Sequence, residues 1–198
     1  YAEYWKGRWP LADYSVIADV GLSLVKVLRE ALVPDLVAHP DGIGLAHPHD
    51  KGDMNLSLYL FEIRENTDHR ISDMIDQGDQ MRYPPIALDL SYLITAHSSS
   101  DVLTRAIDEH RIIGRTMQVL HDHNILRGED LVGSLAGSDQ SFRITKEEIS
   151  LETAVSLFPN VPYKLSLCYK VGPVYLDSTR TRKVSRVRER RVEVRKKP

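Results

Sequence analysis

The sequence predicts an α+β domain, a mostly antiparallel sheet flanked by helices, with an extended basic arm at its C-terminus. Three observations carry this reading. Two runs, 13–33 and 98–124, place apolar residues at helical spacing between polar caps. Three others, 56–63, 86–97 and 162–178, alternate or run apolar in the manner of core strands. The resulting order, α-β-β-α-β-α-β, mixes the two kinds of element without the regular strand-helix alternation of a parallel sheet.

In the first helix, DYSVIADVGLSLVKVLREALV, Ile17, Val20, Leu24, Leu28 and Leu32 form the stripe; Asp13 or Ser15 serves as N-cap and Pro34 closes the segment. Residues 35–53 are punctuated by Pro40, Gly42, Gly44, Pro48 and Gly52, with one short strand expected at 43–46. LSLYLFEI then sets Leu56, Leu58 and Leu60 against Ser57, Tyr59 and Phe61, as a strand buried on one face. Residues 64–85 are polar, lack a period and end in Pro84-Pro85, which reads as a long mobile loop. IALDLSYLITAH follows as a second core strand, the antiparallel neighbour of the first.

The second helix is expected to bury Leu103, Ile107, His110, Ile113, Met117 and Leu120, to be capped by Ser100 or Asp101, and to end at Asn124. Gly114 costs about 1 kcal/mol in mid-helix, which implies the close approach of another backbone. A short strand at 142–145, a third helix at 146–158 with two acids at its positive end, and a long strand at 162–178 interrupted at Gly172-Pro173 complete the body.

With 198 residues, 42% hydrophobic and 27% charged, the composition is that of a soluble globular chain with one full core. No apolar run approaches the roughly 18 residues of a membrane span, and YAEYWKGRWPLADYS lacks the apolar centre of a signal peptide. No membrane partner is expected. The one cysteine, Cys168, sits in the apolar run LSLCYKV and reads as a buried structural thiol.

Charge is divided unevenly. Residues 179–198 hold ten Lys/Arg against two acids, a local +8, whereas residues 1–178 carry 16 cations and 26 anions, or −10. A split this sharp usually means that the tail has an acidic partner: nucleic acid, a membrane surface or another protein. Charge thus sets a basic arm over 179–198 apart from the body. Val192 and Val194 alternate with charges like an edge strand, but the arm has too few apolar residues to pack alone.

Catalytic signatures are missing. There is no phosphate-binding G-x-x-x-x-G-K-[ST] loop, no G-x-S-x-G elbow and no H-E-x-x-H. His121 and His123 are two apart on a helix and point away from each other, and His39, His47, His49 and Asp50 lack zinc-like spacing. Asp89 reads as a solvated or interface-facing acid. An enzyme is not expected, and neither a metal nor a cofactor.

In order and spacing, the segments ADYSVIADVGLSLVKVLREAL, LSLYLFEIREN, RYPPIALDLSYLITAH, IIGRTMQVLHDHNIL and YKLSLCYKVGPVYLDS resemble the tail-terminator or cap proteins of phage-tail-like contractile injection systems, the antifeeding-prophage and virulence-cassette type. The resemblance implies a homo-hexameric ring on the baseplate-distal end of the inner tube that ends tube growth and anchors the last sheath ring. It also implies a domain over 12–178, preceded by an N-terminal extension over 1–11, and assembly in a bacterial cytoplasm as part of a tail-like particle. On that reading Arg180, Arg182, Lys183, Arg186, Arg188, Arg190, Arg191, Val192, Val194, Arg195, Lys196 and Lys197 reach the sheath or a neighbouring subunit by strand addition. Trp5 and Trp9 of the extension become possible interface anchors. The alternative is a nucleic-acid-binding protein using the basic tail, which the absence of tail aromatics and the acidic body oppose.

Overall fold

A computed structural model describes residues 13–183, apart from Asp79 and Asn160. The first helix, α1 (Val16–Leu32), is set by its stripe: Val20, Leu24, Leu28 and Leu32 are fully buried as expected, with Val16 rather than the half-buried Ile17 completing the set. Each such side chain contributes about 1.5–3 kcal/mol on burial, more than the helix's intrinsic propensity supplies. Ser15 occupies the N-cap, and its N–H donates to the Asp13 carboxylate at 2.8 Å.

Strands β1 (Ile43–Leu45), β2 (Leu56–Glu65), β3 (Ile75–Asp76), β4 (Gln80–Arg82) and β5 (Ile86–Ala96) follow. Then come α2 (Val102–Asp122), β6 (Ile125–Arg127), β7 (Ser141–Glu147), α3 (Leu151–Ser156), β8 (Ser166–Leu176) and β9 (Thr181–Lys183). Six strands make the main sheet in the order β1-β2-β5-β8-β7-β6; every neighbouring pair is antiparallel except β1 and β2. This is the mostly antiparallel α+β fold that the sequence predicts.

One face of the sheet carries Leu56, Leu58, Leu90, Tyr92, Ile94, Phe142, Ile144, Tyr169, Val171 and Val174, which share the main core with α1 and the C-terminal half of α2. On the opposite face Leu93 pairs in register with Cys168, both buried. The Cys168 thiol is pushed up to about 11, by burial first and then by Glu147 and Glu62, so it stays protonated as a structural thiol.

Several expectations need correction. The stripe of α2 holds only in part: Ile113 and Leu120 are buried, but Leu103 is 86% and Ile107 51% exposed, and His110 and Met117 also face outward. The buried set is Ile112, Ile113, Thr116, Val119 and Leu120, because only the second half of the helix lies on the body. Asp101 is the cap, accepting from the N–H groups of Leu103 and Thr104, and the helix ends with His123 as its C-cap rather than at Asn124. Around Gly114 there is open space, and no backbone among the described residues approaches it.

The third helix is shorter than expected, because β7 runs on through Lys146 and Glu147 and Ser150 caps a single stretch from Leu151. Residues 64–85 are not a featureless loop. Two strands within them, β3 and β4, pair with each other, and β4 pairs with β9, in a separate three-stranded sheet of order β3-β4-β9. Gly172-Pro173 does not end β8. The pair faces Asp89 alone across a register shift between Leu88 and Leu90, a bulge that the strand passes through.

Candidate assembly interface

The root of the basic arm is part of the body. Thr181, Arg182 and Lys183 pair with Arg82, Met81 and Gln80, and the Tyr83 N–H donates to the Arg180 carbonyl at 3.0 Å. The Arg180 guanidinium lies over the Tyr83 ring, 4.3 Å from its centroid, a cation–π contact that helps to fix the point of departure. Beneath this, Arg82 Nη1 meets Asp177 Oδ2 at 3.1 Å with both side chains largely buried. The pair ties β4 to the end of β8.

All three residues of β9 are exposed, and β9 is an outer strand of its sheet among the described residues. An outer strand presents unpaired backbone N–H and C=O groups, the template for an added strand. Arg180, Arg182 and Lys183 therefore stand together at an exposed, cationic sheet edge. Arg186, Arg188, Arg190, Arg191, Val192, Val194, Arg195, Lys196 and Lys197 lie outside the described residues, as do Trp5 and Trp9 of the 1–11 extension.

Sequence reasoning missed Tyr83, Arg82 and Asp177. A tyrosine before two prolines and an arginine in a polar run gave no signal, since their partners lie about a hundred residues further along the chain.

A second polar site lies at the β8 bulge, where a surface hollow of about 430 Å³ is lined by Arg64, Asn66, Asp89, Arg143, Lys170 and Gly172 among others. Asp89 is half-buried there rather than fully solvated. It accepts from Asn66 Nδ2 at 2.9 Å and lies 3.8 Å from Lys170 Nζ, which also meets Glu147 at 3.4 Å. A Cβ on Gly172 would strike the Asp89 carboxylate, which is why the bulge carries glycine. The charges balance across strands β5, β7 and β8, and the arrangement reads as a cross-strand network.

The histidines do not gather: among the described residues no three of His, Cys, Asp or Glu form a metal-holding group. His47 packs edge-on against Tyr59 at 4.5 Å, and His97 is a core residue bonded to Ser57. No helix among the described residues is long and apolar enough to cross a membrane.

Two solved structures share this α+β fold. The sheath/tube terminator of an extracellular contractile injection system, PVC, in its extended state superposes with a TM-score of 0.60 at 18% identity, covering 92% of this chain and 64% of that one. The anti-feeding prophage tube-terminating cap gives a TM-score of 0.60 at 20% identity, covering 89% of this chain and 61% of that one. This chain thus spans less than two thirds of either structure's length. The chain belongs to the Pvc16 N-terminal domain family, whose model matches residues 19–190. A comparison with curated proteins finds no match.

Proposed function

We propose that this chain is the terminator of a contractile injection particle: a homo-hexameric ring that sits on the baseplate-distal end of the inner tube, stops its growth and holds the last ring of the sheath. The observation that supports the reading best is the family match over residues 19–190, on a fold shared with two terminators over about nine tenths of this chain. Its work is binding rather than catalysis, and its setting is a tail-like particle assembled in a bacterium.

A sixfold ring needs two unlike faces on each subunit. The protruding half of α2, with Val102, Leu103 and Ile107 exposed, supplies one; the β3-β4-β9 edge supplies the other. From that edge the arm reaches the sheath or the adjacent subunit, with Arg180, Arg182, Lys183, Arg186, Arg188, Arg190, Arg191, Arg195, Lys196 and Lys197 meeting acidic residues, and Val192 and Val194 packing as alternate side chains of an added strand.

Light scattering on a sizing column, at low and high salt, tests the ring: a salt-resistant species of about six subunits supports it. A monomer that purified tube fails to assemble into rings contradicts it. Truncation after Lys183 keeps β9 and tests the arm, with rings intact and sheath retention reduced; unchanged sheath decoration would refute the arm's role.

A further inference from the structure

Beside the start of α1 the surface opens into an apolar groove of about 450 Å³, lined by Ile17, Ala18, Leu45, Leu58, Tyr59 and Tyr92. Tyr14 stands at its end and is 88% exposed. Next to the groove α1 crosses the sheet closely at Gly21, where an added Cβ would sit tightly, 3.0–3.2 Å from the Leu45 side chain and the Tyr92 hydroxyl. The helix start then lies over β1 and β2 with Leu45, at the sheet's edge, still 41% exposed.

An apolar trough of this size is within the range, about 300–1,000 Å³, that encloses a ring-sized group. The twelve residues preceding Asp13 read YAEYWKGRWPLA: Tyr1, Tyr4, Trp5, Trp9 and Leu11 are apolar or aromatic, and the segment joins the body one residue from Tyr14. Few stretches of the chain are so rich in aromatics, and this one is tethered to the rim of a groove that nothing else among the described residues fills.

We propose that the groove is the intramolecular seat of the N-terminal segment, with an indole of Trp5 or Trp9 as its anchor. Attachment at Tyr14 gives the segment a high effective concentration at the groove, so an otherwise weak apolar contact closes. The ring buries its face on Ile17, Ala18 and Leu45, while His47 at the rim offers a polar partner for the indole N–H.

Trp5 and Trp9 are the two tryptophans of the 198 residues, so intrinsic fluorescence reports on this segment alone. The test is the emission maximum and the acrylamide quenching of the full chain, with Trp5→Phe and Trp9→Phe to assign the anchor. Blue-shifted emission that is several-fold protected from quenching, and independent of dilution, is expected. It should move to the solvent position in Ala18→Arg, an exposed helix position, and in Leu45→Glu, with far-UV circular dichroism unchanged. Solvent-like emission in the parent chain, emission indifferent to both substitutions, or a blue shift lost on dilution would each overturn the seat.

Discussion

The Arg82 guanidinium and the Asp177 carboxylate meet at 3.1 Å with side chains only 5% and 11% exposed, joining the small sheet to the end of the longest core strand pair. Removing one partner of a buried ion pair costs up to about 3–5 kcal/mol, because the other loses its compensating charge away from water. Arg82→Ala should therefore destabilise the chain by that order in urea unfolding. Hydrogen exchange should quicken first at Ile75–Asp76, Gln80–Arg82 and Thr181–Lys183, while Leu90–Ile94 stay protected. Uniform exchange across both sheets would mean that the pair does not hold the small sheet in place.

Asp19, on α1, organises the turn at Gly133–Leu135: its Oδ2 accepts from the Ser134 N–H at 2.9 Å, from the Ser134 hydroxyl at 2.6 Å and from the Ser15 hydroxyl at 2.8 Å. Burial pushes its pKa up, but these hydrogen bonds outweigh it and hold the carboxyl below its ordinary 3.8. The resulting stability is present above about pH 4 and is lost as pH falls through the lower folded value. Gly133 has φ +62° and would drive a Cβ into that carboxylate. Gly133→Ala should cost at least about 1–3 kcal/mol in a thermal or urea melt.

Gly114 offers the opposite case. Nothing among the described residues lies near it, and its side of α2 is exposed. Gly114→Ala should stabilise the chain by about 0.5–1 kcal/mol in urea titration, the ordinary gain in an open helix. A loss would indicate a backbone contact in the assembled state or in solution.

His97 is 1% exposed and bonded through Nε2 to the Ser57 hydroxyl at 2.9 Å. Burial, then the charges of Lys164 and Lys51, push its pKa down to about 3 from 6.5. Between those values the unfolded chain binds a proton that the folded chain refuses, so stability falls on acidification, by at most about 1.4 kcal/mol per pH unit. Above pH 6.5 the effect vanishes. Urea midpoints from pH 7.5 to 4.5 should fall less steeply in His97→Gln than in the parent chain.

The sequence made α1, β2, β5 and β8 legible because each buries a continuous apolar face: Val20, Leu24 and Leu28 at one period, Leu88, Leu90 and Tyr92 at another. It misled on α2, where Leu103 and Ile107 keep helical spacing yet project outward; periodicity reports which residues share a face, and not what that face meets. It was silent on β3, β4 and β9, which pack little apolar surface and exist through backbone pairing and the Arg82–Asp177 contact. Of the candidate interface, the basic character was plain from composition, whereas its rooting on Tyr83 depended on long-range contacts that no local pattern encodes.

The measurement that bears most directly on the terminator reading is tube growth in the presence of this chain. Inner-tube subunits would be polymerised with and without it and imaged in negative stain. The account predicts shorter tubes, each bearing a ring-shaped cap at one end, with the cap persisting at high salt. Tube lengths unchanged at excess chain, with no added density at either end, would contradict it.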